Sequence, residues 1–355
     1  MKALIAMSGG VDSAVAACLM QQQGYDCIGC TMKLYHNEDI GVSRAHTCCS
    51  LDDVEDARSV AYRLGIPHYV FNFSDTFRET VIRKFIESYQ MGRTPNPCID
   101  CNRYVKFEAL YERARVLGCN CLVTGHYARI ERENGKFVLK KALDPTKDQS
   151  YVLYSMTQEQ LAHTQFPLGV LRKTQVREIA RENQFLNAEK PDSQDICFVP
   201  DGDYVAAIRR LGGIEPIPGD FLDTGGNRIG THRGIICYTI GQHRHLGVSF
   251  PQRQYVCALC AEKNTVTLGS AEALCSKSAK VTEIHWISGE APPKAIRCKV
   301  KVRYRQTERW ATVTPHGTFD AEIVFDEPQR AITPGQAAVF YDGDTVLGGG
   351  TLIAS

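Results

Sequence analysis

The segment Ala6-Met7-Ser8-Gly9-Gly10-Val11-Asp12-Ser13 follows an apolar run and opens a helical pattern. Glycines let a backbone approach a phosphate closely, and the exposed amides of a helix start then bind its charge. The segment lacks a Gly-Lys-Ser/Thr ending, so it is not a Walker A loop. A second chemistry lies in the cysteines. Of three Cys-x-x-Cys pairs, Cys27/Cys30 and Cys257/Cys260 fall inside predicted strands. Residues three apart in a strand face opposite ways and cannot converge on a metal. Cys98 and Cys101 differ, because Arg93-Thr94-Pro95-Asn96-Pro97 before them forces an extended loop. Asn102-Arg103-Tyr104-Val105-Lys106-Phe107 after them reads as a helix start, and a thiol there, near Arg103 and Lys106, is stabilised as a nucleophilic thiolate. Cys197 has Asp192 and Asp195 as neighbours, which oppose its ionisation, and on local sequence it reads as a buried core thiol. Cys18, Cys237, Cys275 and Cys298 read as small buried hydrophobes. Cys48 and Cys49 read as structural, and Cys119 and Cys121 stay ambiguous.

The elements that must carry these groups alternate through the first half. Leu4 to Met7, Cys27 to Met32, His68 to Phe73 and Cys121 to Tyr127 read as strands. Helices are predicted from near Ser13, over Leu51 to Leu64, Thr76 to Gln90 and Arg103 to Leu117. Such alternation argues for an α/β, doubly wound parallel sheet. Gly125-His126 would end a late strand, at the switch where open sheets bind ligands, although His126 reads equally as a core or capping residue. Past about Pro200 glycine and proline become frequent, and Gly234 to Ile240 and Gln254 to Ala258 read as β. From Ala279 on, short strands without a helix predict a small β-barrel. The resulting division is 1–200 for a catalytic domain, 201–278 for a small mixed central domain and 279–355 for the barrel.

The 355 residues carry 41 basic and 40 acidic side chains, so net charge alone gives no sign of a nucleic-acid partner. Charge is nevertheless uneven. Arg297, Lys299, Lys301, Arg303 and Arg305 alternate with Cys298, Val300, Val302 and Tyr304, which predicts a strand with an apolar inner face and a basic outer ladder. Like charges so aligned repel, and a polyanion would relieve them, so the ladder is read as a contact for a nucleic-acid backbone. Arg228 to Arg253 adds four arginines, three histidines and no acid. No apolar run approaches the ~18 residues of a membrane span, and the N-terminal apolar stretch is too short for a signal peptide. A cytoplasmic location without membrane attachment is expected, with thiols reduced and nothing demanding more than a monomer.

Ser8-Gly9-Gly10-Val11-Asp12-Ser13 resembles the pyrophosphate loop of ATP-dependent adenylating enzymes. Together with Thr94-Pro95-Asn96-Pro97, Cys101-Asn102, Thr124-Gly125-His126-Tyr127 and Lys147-Asp148-Gln149-Ser150-Tyr151, it matches one family in order. Ser193-Gln194-Asp195-Ile196-Cys197-Phe198, Tyr238-Thr239-Ile240-Gly241-Gln242-His243 and Arg303-Tyr304-Arg305-Gln306 extend the match. The chain resembles the tRNA-specific 2-thiouridylases. That resemblance implies a Rossmann-like sheet of the adenine nucleotide alpha hydrolase type and use of ATP with Mg²⁺. It implies adenylation of the C2 oxygen of a wobble uridine in tRNA, with a sulfur-relay protein or cysteine desulfurase as sulfur donor. Cys197 would carry the persulfide, and Cys101 would be the nucleophile that frees the sulfur and forms a disulfide with Cys197. ATP would lie on Ala6 to Ser13, with Met32 and Gly125. Asn96, Pro97 and Cys98 would line the target base, and Lys147, Asp148, Gln149, His126, Arg303, Tyr304 and Gln336 would touch tRNA.

One position departs from the family pattern: Cys98 stands where many members have Asp, so a carboxylate role there is not carried over. Cys98, Cys101 and Cys197 would equally provide three thiolates for a [4Fe–4S] cluster whose open iron delivers hydrosulfide. The persulfide route is preferred, since Cys-x-x-Cys is also a plain redox motif. Rival readings are a pyrophosphate-loop ligase or amidotransferase-type synthetase acting on a small metabolite, and a non-enzymatic RNA-binding protein.

Overall fold

The computed structural model of the chain is described over residues 1–36, 51–192 and 195–354. Cys48, Cys49, Ser193 and Gln194 lie outside the described residues. Strand β1 (Lys2–Ala6) has Ala3, Leu4 and Ile5 fully buried, as befits a parallel strand covered on both faces. It pairs in parallel with β2 (Asp26–Lys33), which pairs with β3 (His68–Asn72); on its other side lies β4 (Cys121–Val123). A hairpin of β5 (Ala128–Glu133) and β6 (Lys136–Lys141) follows β4, and the two-residue strand β7 (Thr164–Gln165) completes the sheet in the order β3-β2-β1-β4-β7. The chain winds outward from β1 to β3, then returns beyond β1 at β4. The carboxyl ends of β1 and β4 therefore flank the switch point, where ligands enter such sheets. Helix α1 (Val11–Gln22) lies on β1 and β2, and α2 (Leu51–Leu64) on β2 and β3. Alanine-rich and apolar almost all round, α1 is buried on most of its surface.

The helix expected from Arg103 starts earlier. Pro97 takes the first helical position, where its missing N–H is no loss, and Asn96 caps the start by accepting from the Cys98 amide at 3.2 Å. The helix runs through Pro97–Asp100, a π-helical stretch Cys101–Ala109, and Leu110–Val116. Cys101 consequently sits a turn inside the helix rather than at its start.

The central region has a helix, Tyr204–Gly212, and strands β8 (Gly219–Leu222), β9 (Arg228–His232), β10 (Tyr255–Cys260) and β11 (Thr265–Gly269), in the order β10-β11-β8-β9. The run expected to be β near Gly234 instead makes a short 3₁₀ turn, Ile235–Cys237. Strands β12 (Cys275–Trp286), β13 (Ile296–Lys301), β14 (Arg309–His316), β15 (Asp320–Arg330), β16 (Ala337–Asp342) and β17 (Thr345–Ile353) form an antiparallel barrel closed by pairing of β12 with β17. Closure removes the sheet edges. Hairpin β5–β6 crosses from the first domain to this barrel, where β6 pairs with β17 through Thr345↔Lys140 and Val346↔Leu139.

Candidate functional site

Met7 to Gly10 turns the chain from β1 into α1. The Met7 amide donates to the Cys30 carbonyl at 2.7 Å, and its carbonyl accepts from the Thr31 hydroxyl at 2.8 Å. The Ser13 hydroxyl accepts from the Ser8 amide at 3.1 Å and donates to the Gly10 carbonyl at 3.0 Å. Gly9 holds φ +75°, and a Cβ there would meet the Asp53 carbonyl oxygen at 2.4 Å, so both conformation and space demand glycine. Its carbonyl accepts from Asn187 Nδ2 at 2.9 Å. No side chain caps α1, whose N-cap is Gly10. A helix start of this kind is a ready anion site. Gly125, past β4, lies so near the start of α1 that a Cβ would come within 2.9 Å of Asp12 and Ser13 backbone atoms.

Charges converge beside this turn. Asp12 accepts from Tyr127 Oη at 2.7 Å and from Lys173 Nζ at 2.7 and 2.8 Å. The same Lys173 nitrogen is 2.7 Å from Asp192, which also receives Lys147 at 2.7 Å and Arg177 at 3.4 Å. Burial disfavours the Asp192 charge, but the hydrogen bonds from Lys147 and Lys173 outweigh it and hold the carboxyl below its ordinary range. Burial, followed by the Asp12 charge, pushes the Tyr127 phenol up. Lys190 bridges Asp53 and Asp56 at 2.6 Å each. Of these groups, the sequence points to Asp12 and Lys147, has Tyr127 only as part of the Thr124–Tyr127 motif and Asp192 only as a neighbour of Cys197; Lys173, Arg177 and Asn187 carry no local signal of their part.

The cysteine loop is held from the barrel. Gln336 Nε2 donates to the Thr94 carbonyl at 2.8 Å and the Pro95 carbonyl at 3.4 Å, and the Thr94 amide donates to the Pro334 carbonyl at 2.8 Å. Cys98 is exposed at the second helical position, whereas Cys101 is buried and its amide already donates to the Pro97 and Cys98 carbonyls. The helix-start argument for a thiolate therefore passes from Cys101 to Cys98. Arg103, expected beside the thiol, leans on the Tyr104 and Tyr154 rings. Cys197 is half-buried; its carbonyl accepts from Tyr35 Oη at 2.9 Å, and Phe198 beside it anchors edge-on against Phe77 and Phe85. Cys101 and Cys197 border one apolar cluster. Among the described residues no group of three or more His, Cys, Asp or Glu side chains is gathered to hold a metal, so Cys98, Cys101 and Cys197 do not fit a cluster site as they stand. Burial lifts the thiols of Cys121 to about 11 and Cys298 to about 12, as inert filler requires. Cys275, expected to be buried, is exposed.

A model of the family described as "tRNA methyl transferase HUP domain" matches residues 1–201. Models described as "tRNA methyl transferase PRC-barrel domain" and "Aminomethyltransferase beta-barrel domain" match 212–270 and 276–352. The chain is 49% identical over 357 residues to "tRNA-specific 2-thiouridylase MnmA" of Symbiobacterium thermophilum, covering 99% of this chain and 92% of that one. To the protein of the same name from Clostridioides difficile it is 48% identical, covering 99% and 98%. The chain belongs to the tRNA-specific 2-thiouridylase family. A solved 4-thiouridine synthetase–RNA complex with bound ATP is 19% identical, covers 59% of this chain and 50% of that one, and has a TM-score of 0.37, too distant to add to the argument.

The remaining residues that the thiouridylase resemblance singled out fall into two groups. Asp148 turns inward, accepting from the Ala142 and Ser150 amides and the Ser150 hydroxyl, while Gln149 joins Tyr127 through side chain and backbone. His126 is 8% exposed, its Nδ1 2.7 Å from the Thr124 hydroxyl and its ring between Phe107 and Phe166. Burial, reinforced by Lys106, keeps it neutral. Tyr304 is partly exposed and donates to the Asp148 carbonyl at 3.4 Å; burial, followed by the Asp148 charge, pushes its phenol up. Met32 lies in β2 opposite Phe71.

The basic ladder is shorter than its sequence pattern. Cys298, Val300 and Val302 do face the barrel core, but the strand ends at Lys301. Arg303 folds inward and donates to the Ile240 and Ala331 carbonyls and the Thr333 hydroxyl at 3.2, 3.1 and 2.5 Å. Arg297 is paired with Asp326 of β15 on the outer face, beyond β14. The fold itself thus relieves part of the repulsion that had been assigned to a polyanion.

Proposed function

We infer that this chain is a tRNA-uridine 2-sulfurtransferase, converting uridine to 2-thiouridine at the expense of ATP. The carrying observation is 48–49% identity over nearly the full length to tRNA-specific 2-thiouridylases, joined to a glycine turn suited to phosphate at the sheet's switch point. ATP enters over Ala6 to Ser13, with Met32 and Gly125 at the strand ends; Mg²⁺, when bound, would supply charge neutralisation of the triphosphate. The turn's amides hold the phosphates while the uridine C2 oxygen attacks the α-phosphorus and pyrophosphate leaves. Adenylation turns that oxygen into a leaving group.

Sulfur reaches Cys197 as a persulfide, supplied by a sulfur-relay protein or a cysteine desulfurase. Its terminal sulfur attacks C2 and AMP departs, leaving a disulfide link between Cys197 and the base. Cys101 thiolate then attacks Cys197 Sγ; a Cys101–Cys197 disulfide forms and 2-thiouridine is freed. An external thiol reductant resets the pair. What supports this over a cluster route is that among the described residues no group of three His, Cys, Asp or Glu side chains is gathered to hold a metal. Asn96, Pro97 and Cys98 line the base, and Tyr304 and Lys147 are the nearest RNA contacts.

Among the described residues no helix is long and apolar enough to cross a membrane. The enzyme works as a cytoplasmic monomer. Incubation with tRNA, ATP and a sulfur donor, then nucleoside mass spectrometry, tests the reading. An O-to-S exchange at uridine that disappears in Cys197→Ser and Cys101→Ser supports it; thiolation that survives Cys197→Ser would refute the persulfide route.

A further inference from the structure

On the outside of the barrel, β13 sets Lys299 directly opposite Trp310 of β14. Trp310 is 48% exposed, whereas Trp286, the other tryptophan, is 5% exposed within the barrel. The Trp310 ring has the Arg297 guanidinium 5.4 Å and the Lys299 ammonium 5.7 Å from its centre. Arg297 is satisfied by Asp326, so it serves as a wall. Lys299, Lys301, Arg305 and Arg309 have no carboxylate at ion-pair distance among the described residues, while nearby Glu308 is taken by Lys141 at 2.6 Å.

The row has a direction. Lys301, about 7 Å along the strand from Lys299, lies 5.7 Å from the Tyr304 ring centre. Tyr304 Oη in turn donates to the Asp148 carbonyl at 3.4 Å. A track therefore leads from Asp148 through Tyr304 and Lys301 to Lys299 and Trp310, with cations and aromatic faces in turn. Such alternation suits single-stranded nucleic acid, whose bases stack on rings while its phosphates meet cations. A paired duplex buries its base faces in its own stack and has none to offer.

We propose that Trp310, walled by Arg297 and Lys299, is a stacking platform for an unpaired nucleotide of the tRNA substrate, a short distance along the strand from the target uridine. Lys299 meets the adjoining phosphate. This rests on the tRNA reading above.

The test is equilibrium binding of an unmodified tRNA transcript to the full chain across a salt series, with ATP binding as control. Trp310→Ala should weaken tRNA binding by about 5- to 100-fold. Trp310→Phe should keep most of the affinity, because a phenyl face still stacks. Lys299→Gln should lower the salt slope by about one. Quenching of indole fluorescence by tRNA should be present in the wild type and lost in Trp310→Phe. If the wild type binds tRNA and Trp310→Ala binds within twofold of it, the platform is overturned and the thiolation reading stands. Equal losses in the Ala and Phe variants also overturn it. A wild type that binds no tRNA overturns the functional reading itself.

Discussion

The glycine turn and the outer face of the barrel, the two surfaces proposed to meet phosphates, are built by opposite means. The turn uses backbone: Cys30, Thr31, Asp53 and Asn187, from three distant segments, hold Met7 and Gly9 by hydrogen bonds and close contact, leaving no freedom at either. The barrel face uses long side chains on a strand, each with its own local arrangement, from the Arg297–Asp326 pair to the Lys299–Trp310 contact. A backbone site fails when one atom is added. A side-chain site is distributed, and each member is worth little.

Substitutions should expose that contrast. Gly9→Ala demands a left-handed conformation and places a Cβ in the Asp53 carbonyl, so kcat/KM for ATP should fall at least ~100-fold, as a displacement near 1 Å does; steady-state pyrophosphate release measures it. Loss under threefold would show that the turn is softer than its contacts. Lys173→Met leaves Asp12 and Asp192 without their shared cation, and stability should drop by about 3 kcal/mol in urea titrations. The Asp192 carboxyl is depressed in the fold, so its share of stability is present above the ordinary value near ~3.9 and lost as pH falls through the lower folded value. The gap between wild type and variant, flat from pH 7 to 5, should therefore narrow toward pH 3. Gln336→Ala removes a hydrogen bond worth ~1 kcal/mol from the cysteine loop, so thiolation should slow about fivefold with ATP affinity unchanged. Arg297→Ala should change tRNA affinity less than about twofold, because its charge is already spent on an exposed partner.

Legibility in the sequence followed the same divide. The turn was readable because its needs are local: two glycines and a serine within six residues meet them. Lys173 and Asn187 were not, since they meet the turn only across 161 and 178 residues and belong to no motif. Alternation around Val300 correctly separated inner from outer face, yet it carried no information on where the strand ended or that Asp326 would lie across from Arg297. The helix of the cysteine loop starts earlier than its sequence suggests, because Pro97 reads as a loop residue yet opens the helix. Hairpin β5–β6 did leave a mark: Asn134-Gly135, both with positive φ, is a hairpin turn signal, but its apolar face is only two residues long on each strand, Ala128 and Ile130 against Phe137 and Leu139.

That hairpin, together with Pro334 and Gln336, bears on how the enzyme comes into being. Domains form in the order of synthesis, so the nucleotide turn can assemble while the barrel is still being made. The cysteine loop cannot, because Gln336, which grips Thr94 and Pro95, is translated 242 and 241 residues after them, and β6 waits for β17. A nascent chain can thus form its glycine turn early while its cysteine loop stays unset until the barrel strands around Pro334 and Gln336 are made.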